Sequence, residues 1–150
     1  SNVIAELKGS KFPDEYVIVG GHIDSWDGAT GTTDNGTGTT STMEAARILA
    51  AVGARPRRTI RFILWGGEEQ GLLGSVGYVR RHRSKMGNVS CVFNHDTGTN
   101  WAQNLRVTHD QFEDMSKIVD PIMTMKPPQS EYDGRVFKLS IPVMGGFPPL

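Results

Sequence analysis

Apolar and polar positions follow two rhythms along this chain. Residues 3–7 read as a short strand, followed by a turn at Gly9-Ser10-Lys11. Residues 17–21 form a continuous apolar run of the kind buried inside a parallel sheet. Over residues 39–52 the period lengthens to that of a helix, with Met43, Ala46, Leu49 and Ala50 on one face. Gly53 is placed to close that helix and Pro56 to stop it resuming. A strand is predicted over 59–65, a helix over 72–82, and strands over 89–94 and 105–108. Residues 111–125 read as a helix with Phe112, Met115, Ile118, Val119 and Ile122 in phase, closed by Pro127-Pro128. A last strand is expected over 136–139, ahead of an irregular tail. Alternating strands and helices predict an α/β fold: a mostly parallel, mixed central sheet flanked by helices. With no internal repeat and no linker, residues 1–150 are expected to form one domain.

Composition narrows the possible partners. Sixteen basic and sixteen acidic residues cancel, so the net charge gives no footprint for nucleic acid or an anionic membrane. No apolar stretch approaches the ~20 residues of a membrane span. The single cysteine, Cys91, excludes an internal disulfide and reads as a buried strand residue. There is no signal-peptide pattern, and Ser1-Asn2-Val3-Ile4 opens mid-pattern, as though sequence preceded it.

The candidate chemistry lies where the apolar runs end. Residues 16–19 lead into His22-Ile23-Asp24, and a Gly/Thr-rich loop then presents Asp34. The 60–65 run leads into Glu68-Glu69, and the 89–93 run into His95-Asp96. Imidazole and carboxylate are borderline and hard metal ligands, and strand ends are where open α/β sheets place their sites. The set therefore reads as a two-metal hydrolase centre. At period two, His22 and Asp24 point to the same side. The imidazole can bind a metal through one nitrogen while Asp24 accepts from the other or braces it through a neighbour; a solvated polar strand end is the competing reading.

Asp34-Asn35-Gly36 alone is ordinary turn chemistry. Its place just before a helix gives it a firm backbone and a carboxylate able to bridge two cations. Glu68 and Glu69 repel each other unless a positive charge lies beside them. A metal would supply it, leaving one carboxylate to coordinate and the other as a general base; an acid-decorated helix start is the alternative. Of His95 and Asp96, only one can face the site. Glycines 31–38 lack the lysine of a phosphate loop, and no Gly-x-Ser-x-Gly elbow is present.

Four segments together resemble the M28 zinc metallopeptidases, which include secreted bacterial aminopeptidases and glutamate and plasma carboxypeptidases. They are Gly20-Gly21-His22-Ile23-Asp24-Ser25-Trp26-Asp27, Thr33-Asp34-Asn35-Gly36-Thr37-Gly38, Gly67-Glu68-Glu69-Gln70-Gly71-Leu72-Leu73-Gly74-Ser75 and Asn94-His95-Asp96. The resemblance implies His22 and Asp96 on one zinc, Glu69 on the other, Asp34 bridging them, Glu68 as general base and Asp24 as partner of His22. It implies a zinc-exopeptidase fold that hydrolyses a terminal peptide bond of a peptide or dipeptide through a hydroxide bridging two zincs, with aminopeptidase action favoured. A secreted or periplasmic setting for the parent protein is implied as well. Family members carry a final histidine on the second zinc, whereas this chain has no histidine after His109. The resemblance thus implies a partial catalytic domain, truncated at both ends, lacking its C-terminal part and one ligand. A non-catalytic peptidase-fold scaffold or an inactive copy is the alternative.

Overall fold

The computed structural model describes residues 1–96, 98–99, 104–125 and 138–140, which fall into two compact units, Ser1–Thr99 and Asn100–Leu150. The first is built on β1 (Val3–Leu7), β2 (Phe12–His22), α1 (Gly36–Ala51), β3 (Arg58–Trp65), α2 (Leu73–Arg81), a 3-10 segment (Arg83–Asn88) and β4 (Val89–Asn94). Its sheet has the order β1-β3-β2-β4. β2 pairs in parallel with β3 and β4, and β1 pairs antiparallel with β3. The sheet is mixed and mostly parallel, with helices flanking it, as the strand–helix alternation predicts.

Residues paired across the ladders sort the sheet into two faces. Tyr16, Ile18, Gly20 and His22 line up with Thr59, Arg61, Ile63 and Trp65. On this face Ile18, Ile63 and Trp65 pack with Tyr78 of α2 as the core. Trp65 and Tyr78 meet edge to face at 5.4 Å. Arg61 crosses the Tyr16 ring at 4.2 Å and reaches the Tyr78 hydroxyl and Glu6. The opposite face holds Gly21, where a Cβ would come within 2.9 Å of the Gly38 backbone of α1. Glycine at this crossing lets helix and strand approach that closely.

The observed elements differ from the predicted ones where backbone pairing ignores hydrophobicity. β2 begins at Phe12, not residue 17, because Phe12 pairs with Arg58 across an irregularity spanning Pro13-Asp14-Glu15. α1 starts at Gly36, not 39. Asn35 caps it by accepting from Gly38 N, and the Thr37 and Thr40 hydroxyls return to the Thr33 and Gly36 carbonyls. The face of α1 turned to the sheet carries Gly38 and Thr42, while Met43 is exposed, which corrects the expected apolar face. Gly53 adopts φ +64 after the helix, as its position predicts. Cys91 is only half-buried on β4, and burial pushes its thiol up.

The second unit contains β5 (Asn104–Arg106), α3 (Phe112–Met123) and β6 (Lys138–Ser140), with β5 and β6 parallel. Val107 and Val119 are its buried apolar residues among those described, while Ile118 of the expected apolar stripe is exposed. The predicted strand at 136–139 is seen as β6, with residues 136 and 137 outside the described part, as is the tail from 141.

Candidate metal centre

Three parallel strands deliver the site residues to one end of the sheet. His22 is the last residue of β2, and Ile23 N continues the ladder by donating to Trp65 O at 2.8 Å. The imidazole is 1% exposed, which fixes it among its neighbours. Thr39 of α1 donates its hydroxyl to the His22 carbonyl at 2.8 Å, holding the strand end from the helix side.

Beyond β3, the chain turns sharply. Gly67 (φ +74) and Gly71 (φ +104) take backbone conformations open to glycine, and Leu72 joins them at φ +59. Gly71 N and Leu72 N both donate to Glu68 O at 2.8 Å, closing a tight loop that carries Glu68 and Glu69. The Asp24 carboxylate accepts from Glu68 N at 3.0 Å and Glu69 N at 3.2 Å. Burial alone would raise the Asp24 carboxyl, but those two bonds, with its own amide and the charge of His22, together hold it below its usual range.

The sequence left open how Asp24 would brace His22. His22 Nδ1 lies 2.9 Å from the Asp24 backbone carbonyl but 3.7 Å from its carboxylate. Asp24 therefore serves both halves of the site, His22 through its carbonyl and the Glu68-Glu69 loop through its carboxylate.

A carbonyl can only accept, so Nδ1 carries the proton and Nε2 faces the acids. Nε2 lies 3.0 Å from Asp34 Oδ1 and 3.0 Å from Asp96 Oδ1. Oxygens of Asp34 and Glu69 and a nitrogen of His22 fall within 4.8 Å of one another. Burial alone would lower the His22 imidazole, but the Asp24 carbonyl and the charges of Asp96 and Glu68 raise it above its ordinary value. Partial loss of water and the Asp34 carboxylate likewise raise Glu69. Two carboxylate oxygens aimed at one imidazole nitrogen require positive charge between them. A proton on Nε2 meets that need, and so does a cation. One imidazole with several carboxylates is a donor set that suits zinc.

His95 is not among the residues grouped with His22, Asp34 and Glu69. Its carbonyl accepts from Asn35 Nδ2 at 2.8 Å, and its buried Nδ1 has no hydrogen-bond partner among the described residues. Glu68 lines a cavity of about 200 Å³ with His22, Trp65, Leu72, Ser75, Val92, Asn94 and Asp96. A larger cavity of about 750 Å³ lies between the start of β1 and α2 and contains none of the acidic cluster, so volume does not mark the chemistry. His82 packs against Tyr78 with the ring centroids 4.5 Å apart and the planes tilted by 40°. Trp65, Asn35 and Thr39 are structural partners that sequence reading passed over. The Asn35 cap pattern was the one available signal.

The described helices include none long and apolar enough to cross a membrane. The sequence profile of Peptidase family M28 matches residues 2–135. Carboxypeptidase Q of Homo sapiens is 38% identical over 127 residues, covering 85% of this chain and 26% of that protein. The crystal structure of a peptidase M28 precursor from Shewanella amazonensis matches with TM-score 0.73 and 34% identity, over 81% of this chain and 28% of its own. BSAP, a zinc aminopeptidase from Bacillus subtilis, matches with TM-score 0.67 and 32% identity, over 83% and 33%. The chain spans about a quarter of the length of the curated relatives it matches.

Proposed function

From a chain that belongs to peptidase family M28, we propose a zinc-dependent exopeptidase as the function of the whole protein. In this reading residues 1–150 are part of one catalytic domain; His22, Asp34, Glu69 and Asp96 hold the metal, Glu68 is the general base and Asp24 supports both. The observation that carries it is His22 Nε2, buried and 3.0 Å from each of two carboxylates. We read the site as dinuclear, with Asp34 shared and Glu69 on the second ion.

Zinc bound at such a donor set lowers the pKa of water and polarises a peptide carbonyl. The chain's own residues supply the rest. Nδ1–H of His22 donates to Asp24 O, which fixes the ring and its tautomer. The Asp24 carboxylate holds the amides of Glu68 and Glu69, so that their side chains leave a fixed backbone in a fixed order. Glu68, beside the small cavity, takes a proton from water and returns it to the leaving amine.

Two features support the reading besides the contacts of His22: a zinc aminopeptidase among the solved relatives, and a His22, Asp34 and Glu69 cluster that a cation would stabilise. A chelator is expected to abolish peptidase activity of the whole protein and zinc to restore it. Activity that survives exhaustive chelation sinks the proposal. For the end attacked we favour the amino terminus. Dipeptides with a blocked amine should then resist cleavage while those with a blocked carboxylate do not, and the reverse pattern would move the enzyme to the carboxypeptidase side, where carboxypeptidase Q stands by name.

A further inference from the structure

We propose that Asn35 is a positioning residue for the metal centre, its amide tying the loop that carries Asp34 to the strand exit that carries Asp96. The inference rests on the metallopeptidase reading and adds a residue to it. Asn35 is 2% exposed, deeply buried for a primary amide that also caps a helix. Nδ2 donates to His95 O at 2.8 Å, and Oδ1 accepts from Gly38 N at 2.9 Å. The first bond ends one residue before Asp96, and Asn35 itself follows Asp34 directly.

The two carboxylates have little else to place them. The Asp34 side chain is 67% exposed and that of Asp96 38%, so packing cannot fix either. The His95 ring makes no polar contact through its buried Nδ1 among the described residues. The exit is held by backbone instead: His95 N donates to Gly20 O at 2.9 Å, and His95 O accepts from Asn35. His95 therefore ties the end of β4 to β2 through its N–H and to the Asp34 loop through its carbonyl. The glycines around it leave room for nothing larger. A Cβ on Gly21 would stand 3.0 Å from His95 O, and one on Gly38 would overlap both that oxygen and the Asn35 amide. With both bonds made, an oxygen of Asp34 and one of Asp96 each lie 3.0 Å from His22 Nε2.

Helix capping alone would also explain a buried asparagine, and serine separates the two roles. Asn35→Ser keeps a good N-cap but is too short to reach His95 O. On the full chain, zinc affinity by competition titration and the visible spectrum of the cobalt-substituted protein are compared with thermal unfolding of the metal-free form. Asn35→Ser is expected to weaken zinc binding about 10–100-fold and to change the cobalt spectrum, while the metal-free chain loses less thermal stability than it does in Asn35→Ala. Asn35→Ala is expected to show the same loss with lower stability, because the cap is gone. Unchanged affinity and spectrum in Asn35→Ser overturn the proposal. A His22→Ala control separates the two claims. If it loses zinc while Asn35→Ser does not, only the role of Asn35 fails; if it binds zinc like the unsubstituted chain, the metal centre fails and this inference with it.

Discussion

At the end of the sheet where β2, β3 and β4 begin, Lys8, Lys11, Arg55, Arg57, Arg58, Arg83 and Lys85 outnumber Asp14 and Glu15. At the end where those strands finish, the segments carry Asp24, Asp27, Asp34, Glu68, Glu69 and Asp96, all but Asp27 belonging to the cluster around His22. A formal net charge of +0 conceals this separation. The basic residues stand apart in solvent. Lys11, Arg57 and Arg58 spread around the Phe12 ring at 5.3–5.5 Å, and Arg58 pairs with Glu15 at 2.6 Å with both side chains about two-fifths exposed. The acidic residues converge on one buried imidazole and on each other. Charge that spreads on a surface stabilises little and asks for no ligand. Charge gathered around a dry nitrogen is unfavourable alone and becomes a site once a cation enters.

The sharpest break of that comparison is at Glu68. If the acidic end holds metal with some carboxylates and moves protons with another, Glu68→Gln should leave zinc content unchanged and lower kcat about 10²–10⁴-fold. Steady-state kinetics beside metal analysis of the same sample decides it. Near-normal turnover removes Glu68 from the proton path, and lost zinc makes it a ligand instead.

Asp24 comes next, because its carboxylate accepts from the backbone amides of Glu68 and Glu69 and so acts through them. Asp24→Ala should cost about 10–100-fold in zinc affinity or activity. Asp24→Asn, which retains an oxygen to accept one of the two amides, should fall between. Equal behaviour of the two variants and the unsubstituted protein would mean the glutamate loop is held by its own turn at Gly71 and Leu72.

How much of this was legible in the sequence follows from the range of each interaction. β3 could be read almost to the residue because Ile60, Phe62, Ile63 and Leu64 form an apolar run closed by glycine. The start of β2 could not, since Pro13-Asp14-Glu15 gives no pattern and its pairing depends on Arg58, more than forty positions away. The acidic strand exits were visible as types and order, and their gathering at one end follows from parallel strands. The Asp24 link to Glu68 and the Asn35 link to His95 join segments that no local rhythm relates. In α1, the residues nearest the sheet are Gly38 and Thr42, because close approach of helix to strand selects small side chains there over Met43.

Thr39→Val tests a smaller contribution on the acidic side. The hydroxyl bond to the His22 carbonyl is half-buried, and its removal leaves a strand-end carbonyl without that donor. Stability should fall by about 1 kcal/mol in urea unfolding. Zinc affinity should fall less than for Asp24→Ala, since the His22 ring keeps its bond to Asp24. A larger loss of zinc than of stability would make Thr39 part of the metal-holding set.

The smallest effect is expected at the basic end, and its smallness is the point. From Tyr16 to His22 the strand advances ~20 Å, at ~3.3 Å per residue. That is more than two Debye lengths at physiological salt, where screening acts over ~8 Å. Neutralising Lys11 and Arg57 together should therefore leave zinc affinity within about twofold at physiological salt and leave unfolding nearly unchanged. Lys11 and Arg57 are exposed and lie over the Phe12 ring, 5.3 and 5.5 Å from its centroid. Lowering the salt to about 10 mM lengthens the screening distance to ~30 Å, so a small rise in cation affinity should emerge there and vanish again on adding salt. A salt-independent change of tenfold or more would show that the two ends communicate through packing, along β2 and β3, and that the division between a spread charge and a gathered one does not hold.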